Sequence, residues 1–132
     1  MAAASVSLRK PSASRRGAMD ETVKYVKERK QFGRTIGQFQ NTQFQLADLD
    51  TKIEAARLLV RAAAFKKDQK LPFSVDAARA KLFAAETAME VTTKAVQFHG
   101  GYGYTRELPV ERMMRDAKIT EIYEVLPKYS GW

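Results

Sequence analysis

The side chains that could carry chemistry are concentrated between Gln97 and Glu124. This stretch contains the glycine pair Gly100–Gly101 and the only histidine, His99, and it ends on the carboxylate of Glu124. A carboxylate or an imidazole can act as a general base when it lies within hydrogen-bond reach of a proton. Residue type alone favours simpler roles: a solvated charge for the glutamate, a helix C-cap for the glycines and a structural role for the histidine.

Composition narrows the classes of function. The chain has 132 residues, of which 45% are hydrophobic and 29% charged, as in a single globular domain with a real core. It has no cysteine, which excludes thiolate nucleophiles, thiolate metal sites and disulfides, and we expect no metal site. The net charge is +8, but four basic residues lie in residues 1–17, which lack acidic residues, and removing them leaves a scattered +4. We therefore expect no nucleic-acid partner. The best apolar run, Ala55–Phe65, is interrupted by two arginines, so no membrane-spanning segment is expected.

The hydrophobic periodicity predicts an all-α, antiparallel up-down helical bundle. Predicted helices cover residues 18–30, 39–67 and 75–98, and a last helix has Pro109 in its first turn. Ser74 is a candidate N-cap for the third helix. No segment alternates with period two for long enough to indicate a strand. So few helices indicate an incomplete bundle that needs further helices, from this chain or from another copy.

Apolar residues three and four apart define the faces that these helices should bury. We interpret the methionines among them as core residues rather than as a cofactor pocket. The predicted stripes are Leu46, Leu49, Ile53, Ala56, Val60 and Ala63 on the second helix; Val75, Ala78, Leu82, Ala85, Met89, Thr92 and Val96 on the third; and Val110, Met113, Met114 and Ala117 on the last.

Five segments, in order, carry a family resemblance: YVKERKQFG (Tyr25–Gly33), FQNTQFQLAD (Phe39–Asp48), AKLFAAETA (Ala80–Ala88), QFHGGYGYTRELPVER (Gln97–Arg112) and MRDAKITEIYE (Met114–Glu124). They resemble the C-terminal helical domain of acyl-CoA dehydrogenases, and the bacterial short-chain, butyryl-CoA-type enzymes are the most similar branch. The resemblance covers roughly residues 17–124.

The resemblance implies a homotetrameric flavoprotein of fatty acid metabolism that uses FAD to oxidise a short-chain acyl-CoA to the trans-2-enoyl-CoA. A carboxylate removes the α-proton while a hydride passes to the flavin. That base corresponds to Glu124, and an apolar pocket would raise its pKa. The resemblance also implies an electron-transferring flavoprotein as partner and a cytoplasmic location, with the mitochondrial matrix as the alternative.

The same resemblance implies a set of cofactor contacts. Arg29 corresponds to the family's arginine that reaches the FAD diphosphate of a neighbouring subunit. This role suits the fork of hydrogen-bond donors on a guanidinium. Without the motif, that arginine is equally well interpreted as a helical partner of Tyr25 or as a surface charge. The implied cofactor-binding residues are Arg29, Phe32, Gln40, Gln97, Gly100 and Gly101.

The chain departs from the family pattern at residues 1–17 and 125–132. The family pattern continues after Glu124 as GTSEVQRM, whereas residues 125–132 of this chain are VLPKYSGW. One possible DNA sequence that encodes GTSEVQRM translates to VLPKYSGW when a single base is deleted. A similar shift of reading frame accounts for the first sixteen residues. We hypothesise that both segments are out-of-frame readings, and that residues 1–17 are disordered. The rival interpretation of residues 1–17 is a mitochondrial presequence, because they are rich in serine and arginine and free of acids.

Three functions remain open on the sequence alone. The first is an acyl-CoA dehydrogenase with Glu124 as base. The second is a catalytically silent helical oligomerisation fragment that neither binds FAD nor turns over substrate. The third is a subunit whose missing parts come from another chain. The acyl-chain preference and the electron acceptor are not set by these residues.

Overall fold

The computed structural model describes the backbone of residues 2–124, and side chains from residue 15 onward except those of Thr120, Glu121, Tyr123 and Glu124. The predicted divergent tail, residues 125–132, lies outside the described residues. Four helices form an antiparallel bundle, which confirms the predicted all-α fold: α1 (Ala2–Glu28), α2 (Gln40–Asp68), α3 (Ser74–Phe98) and α4 (Val110–Glu124). None of the described helices is long and apolar enough to span a bilayer.

Helix α1 begins earlier than the sequence predicted. We expected disorder through residue 17 and a helix from Ala18, whereas α1 starts at Ala2. The segment from Ala2 to Lys10 contains three alanines, one leucine and two basic residues, which favour helix. The later part of α1 is anchored because Ala18, Met19 and Val26 are buried. Docking of that part provides a nucleus from which the helix extends backwards.

Helix α3 is the centre of the bundle and contacts each of the other three helices. The predicted stripe on α3 was only partly right: Ala85 and Thr92 are buried, whereas Val75 is 61% exposed and Ala78 is also exposed. The larger residues Leu82 and Met89 are only partly buried. Three neighbours can approach one helix closely only over small side chains, so alanine and threonine occupy the contact positions. The buried residues of α3 are Ala80, Ala84, Ala85, Thr87, Ala88, Val91, Thr92 and Ala95.

The stripes predicted for α2 and α4 agree better with the structure. Leu49, Ile53, Ala56 and Ala63 are buried on α2, while Leu46 and Val60 are partly buried. On α4, Val110 and Ala117 are buried and the two methionines are partly buried. One core cluster joins all four helices and consists of Ala18, Met19, Leu49, Ile53, Val91, Ala95 and Val110.

A short hairpin that the sequence did not predict connects α1 to α2. Strands β1 (Lys30–Gln31) and β2 (Arg34–Thr35) pair antiparallel. Phe32 and Gly33 form the turn with φ of 55° and 76°, the positive values that a two-residue type I′ hairpin turn requires. Strands of two residues are too short to show an alternating pattern. A 3₁₀ turn, Ile36–Gln38, then leads into α2.

The ends of α3 position the residues discussed below. Ser74 is the first residue of α3 rather than its N-cap; Phe73 holds that position, and no side chain caps the helix. An ion pair between Lys66 and Asp76, at 2.9 Å, instead ties the start of α3 to the end of α2. At the other end, His99 is the C-cap, and a 3₁₀ helix, Gly100–Tyr104, turns the chain towards α4.

Candidate functional site

A cleft of about 520 Å³ lies where the end of α1 meets the turn after α3. It brings together three of the predicted cofactor-binding residues, namely Arg29, Gly100 and Gly101. Its other lining residues are Tyr25, Gln31, Ile36, Phe98, His99, Tyr102 and Thr105. Arg29 is the only charged residue among these at neutral pH, and none of them carries a carboxylate. The cleft therefore suits an anionic ligand.

The backbone of Arg29 is held from both sides. Its N–H donates to the carbonyl of Tyr25 at 2.9 Å, and its own carbonyl accepts from the N–H of Ile36 at 2.8 Å. These bonds fix the end of α1 against the 3₁₀ turn before α2. The guanidinium is exposed, so its donors are available to a ligand while its main chain is fixed.

The glycines of the 3₁₀ helix fall into two kinds. Gly100 has a φ of 62°, and a Cβ built on Gly100 or Gly101 would meet no atom within 4 Å. Both therefore leave open space in which a ligand can approach the backbone. A Cβ on Gly103 would instead lie 2.5 Å from the carbonyl oxygen of Val96 and 2.8 Å from the Cβ of His99. Gly103 thus permits the turn to fold tightly onto α3.

His99 is buried, with 3% of its surface exposed. Its Nδ1 lies 2.7 Å from the carbonyl oxygen of Ala95, and its ring stacks on Tyr25 with centroids 4.3 Å apart and planes inclined by 30°. A carbonyl oxygen can only accept, so Nδ1 carries a proton. This burial and hydrogen bond agree with the structural role expected for the histidine.

A second, smaller cavity of about 240 Å³ adjoins the cleft. Ile36 and Phe98 line both spaces. The predicted residue Gln97 lines the smaller cavity, together with Asn41, Gln45 and Lys94. Amides and one ammonium group therefore line a partly apolar space next to the cleft.

The structure does not bring the remaining predicted residues to these cavities. Phe32 is 90% exposed at the tip of the hairpin, and Gln40 is exposed at the first residue of α2. Neither lines the cleft or the smaller cavity. Glu124 is the last residue of α4, but its side chain lies outside the described residues. Its role as base stays a prediction.

Several lining residues were not identified from the sequence as cofactor-binding residues. The sequence indicates Tyr25 only as a helical partner of Arg29, and it indicates no role for Tyr102 or Thr105. The Thr105 hydroxyl donates to the carbonyl of Tyr102 at 2.7 Å, which closes the turn. The available signal was their position within GGYGYT, directly after the glycine pair.

FAD is the cofactor that the family resemblance implies, and the described residues can be tested against it. An exposed guanidinium, two glycines with open space beside them and a lining without carboxylates fit the diphosphate of a dinucleotide. Polar amides around the adjoining cavity add neutral donors and acceptors. The residues present are therefore compatible with the phosphate-bearing part of that cofactor.

Comparison with known proteins identifies similar chains. The family model described as "Acyl-CoA dehydrogenase, C-terminal domain" matches residues 9–124. A short-chain-specific acyl-CoA dehydrogenase of Clostridium acetobutylicum is 64% identical over 108 residues, covering 82% of this chain and 28% of that protein. The butyryl-CoA dehydrogenase of Megasphaera elsdenii has a solved structure that superposes with a TM-score of 0.91 at 49% identity, over 95% of this chain and 33% of that one.

A third match comes from a solved structure of an electron transferring flavoprotein of Acidaminococcus fermentans, with a TM-score of 0.91 and 53% identity over 95% of this chain and 33% of that chain. The similarity to these three proteins covers between 82% and 95% of this chain. The chain itself spans about 28% of the length of the curated relatives it matches.

Proposed function

Because the chain belongs to the acyl-CoA dehydrogenase family, with residues 9–124 forming its C-terminal helical domain, we propose that it contributes the diphosphate-binding cleft and the base of an FAD-dependent short-chain acyl-CoA dehydrogenase. The observation that carries this proposal is the meeting of Arg29 with Gly100 and Gly101 in one cleft that no carboxylate lines.

Each candidate residue has a definite task in this proposal. Arg29 would hold the FAD diphosphate through charge-assisted hydrogen bonds, and the two glycines would let the backbone lie close to it. Gln97 would contact the neighbouring part of the cofactor from the smaller cavity. Phe32 and Gln40 remain proposed contacts, and their exposure leaves them available to a cofactor held by a neighbouring subunit.

The reaction removes two hydrogens from adjacent carbons of the acyl-CoA. Glu124 would take the α-proton onto its carboxylate, and the electron pair of that C–H bond would form the new double bond. The chemistry that FAD supplies when bound is acceptance of the hydride that leaves the β-carbon. The electrons then pass to an electron-transferring flavoprotein, a partner that we propose from the relatives. A cytoplasmic location likewise stays a prediction.

Exposed apolar residues support a second candidate, a catalytically silent helical oligomerisation fragment. Phe44, Leu58 and Phe65 are each more than 60% exposed on α2. They are separated by multiples of seven residues, so they follow one face of the helix. Such a stripe favours association with another copy, which also agrees with the homo-oligomer implied by the family.

Titration of the purified chain with FAD, followed by flavin fluorescence, tests the proposed cleft. Arg29→Met should weaken binding at least tenfold, because it removes a hydrogen-bonded charge worth about 1.5–3 kcal/mol. Arg106→Met is a matched control, since Arg106 is also exposed but does not line the cleft. Equal losses in both variants would refute specific binding by Arg29.

Reduction of an acceptor dye with butyryl-CoA and FAD tests the proposed base. Glu124→Gln should abolish any turnover, whereas Glu121→Gln on the same helix should retain it. A chain that binds no FAD, reduces no dye and elutes as a large oligomer would support the silent fragment instead.

A further inference from the structure

We propose that His99 is a second anion-binding residue of the cleft, which donates a hydrogen bond from Nε2 once its imidazole is protonated. Binding of a diphosphate would then be coupled to uptake of one proton, and the affinity would rise as the pH falls. This inference rests on the proposed function, because it assigns a further residue to the same cleft.

The hydrogen bonding of the ring determines which nitrogen is available. Nδ1 is committed to the carbonyl of Ala95 at 2.7 Å, so in the neutral ring Nε2 has no proton. No described residue forms a hydrogen bond with Nε2, and His99 is one of the residues that line the cleft. A neutral Nε2 only accepts, as do the oxygens of a diphosphate, so the two groups repel each other. Protonation turns Nε2 into a donor and removes this mismatch.

The charges around His99 make proton and anion mutually dependent. The titratable lining residues besides His99 are Tyr25 and Arg29 of α1 and Tyr102 of the 3₁₀ helix after α3. The lining residues from β1 and from the Ile36–Gln38 turn are uncharged. Lys94 of α3 lines the adjoining cavity. Without an anion, the only charged side chains lining these spaces beside a protonated His99 would be the cations Arg29 and Lys94.

Two features reverse that balance when an anion is bound. The ligand charge offsets the repulsion between Arg29 and the imidazolium. The position of His99 as C-cap of α3 also favours a cation, since the C-terminal end of a helix carries partial negative charge. The same helix end repels an anion that has no compensating cation nearby. Binding of the proton to His99 therefore strengthens binding of the anion, and binding of the anion strengthens binding of the proton, as linkage requires.

Ring stacking keeps the imidazole oriented for this role. The Tyr25 ring lies 4.3 Å from the His99 ring, and Gly103 packs so closely that a Cβ built on it would lie 2.8 Å from the Cβ of His99. The ring is therefore held between α1 and the turn, with little freedom to rotate. A fixed donor loses less entropy on binding than a mobile side chain does.

FAD titrations of the full chain between about pH 5.5 and pH 8.5 test the proposal, in the range where histidine changes charge. FAD is a suitable probe because its diphosphate is a diester whose charge stays constant over this range. The wild-type Kd should fall about tenfold or more from the higher to the lower pH, approaching tenfold for each pH unit when one proton is linked. Calorimetry in two buffers of different ionisation enthalpy should show uptake of a proton with each FAD bound.

Three variants separate the possible explanations. His99→Asn keeps an amide donor near the Nδ1 position but has no group at Nε2, and should bind weakly without pH dependence. His99→Gln places a permanent amide near Nε2 and should also lose the pH dependence. Arg29→Met should weaken binding throughout while retaining the slope. Circular dichroism establishes that each variant is folded.

The outcomes distinguish this inference from the proposed function. A wild-type Kd that does not change with pH, or no proton uptake, would overturn the role of His99 and leave the cleft assignment intact. Persistence of the pH dependence in a folded His99→Asn variant would overturn it too. If the chain binds no FAD at any pH, the proposed function fails and this inference fails with it.

Discussion

Replacing Arg15 with methionine should stabilise the fold, because a charged side chain is buried there without adequate partners. Arg15 has 0% of its surface exposed. One of its nitrogens donates to the carbonyl of Ala84 on α3 at 2.9 Å. The Nε and Nη2 atoms are buried and have no hydrogen-bond partner among the described residues. Burial lowers the pKa of the guanidinium from its ordinary value to about 10, since removal from water disfavours the charged form.

The expected gain can be estimated in two ways. The lowered pKa corresponds to roughly 3 kcal/mol of penalty on the charged form, at about 1.4 kcal/mol per pKa unit. Replacing a buried ionic group by an apolar one of similar size stabilises proteins by about 1–4 kcal/mol. Methionine forfeits the bond to Ala84, which is worth about 1 kcal/mol. We therefore expect Arg15→Met to raise the free energy of unfolding by about 2 kcal/mol.

Urea unfolding followed by circular dichroism measures this change. The neighbouring Arg16 is a matched control, because it is exposed and its contacts to Asp20 at 3.8 Å and Asp50 at 3.6 Å are surface ion pairs. Arg16→Met should change the stability by less than about 1 kcal/mol. A destabilised or unchanged Arg15→Met variant would refute the reasoning, since it would mean that the guanidinium is adequately solvated or paired.

The pH dependence supplies a second check on Arg15. Its pKa is lower in the folded chain than in the unfolded chain, so between about pH 10 and the ordinary pKa of a guanidinium the unfolded state binds more protons. Stability contributed by this group therefore rises with pH across that window, and the penalty is fully present below it. The difference in stability between Arg15→Met and wild type should shrink as the pH rises through this window. A constant difference would contradict this assignment of the penalty.

Three further predictions follow from contacts described above. Gly103→Ala should destabilise the fold by about 1–3 kcal/mol in urea unfolding through overpacking, whereas Gly101→Ala, which meets no atom within 4 Å, should introduce no steric clash. The hydrogen bond from Lys66 lowers the pKa of Asp76 below its ordinary 3.8. The stability that this ion pair contributes is therefore present above about pH 4 and is lost as the pH falls through the lowered pKa. In Lys66→Met, the stability should change less with pH over this acid range. Phe65→Asp should reduce self-association in size-exclusion chromatography relative to Asp68→Asn, and equal elution would argue against the α2 stripe.

The sequence predicted most of the helical architecture because long amphipathic segments leave a periodic signal. The observed bounds of α2 and α3, Gln40–Asp68 and Ser74–Phe98, differ by one residue from the predictions of 39–67 and 75–98. The predicted face of α3 was only partly right, because hydrophobic size marks amphipathicity, whereas close contact with three helices selects small residues. The start of α1 was wrong because residues 15–26 dock into the bundle, which outweighs a composition typical of disorder.

The cleft was predictable only in part. The motifs identified Arg29 and the glycine pair as candidate cofactor-binding residues. Their meeting in one cleft depends on tertiary structure, because α3 must end next to the end of α1. No local pattern predicts that Tyr25 stacks on His99, since the two lie 74 positions apart in the chain. The open ring nitrogen of His99 depends on the rotamer that its bond to Ala95 selects. Such details arise from tertiary packing.

The methyl-lined face of α3 restricts how this domain can vary. Positions such as Ala84 and Ala88 are 1% exposed on a helix that touches α1, α2 and α4. A larger side chain there would push apart neighbours that also contact one another, so no single compensating change elsewhere could restore the spacing. Inherited variation should therefore accumulate on the outward surfaces of α2 and α4, while α3 keeps its pattern of residues almost unchanged.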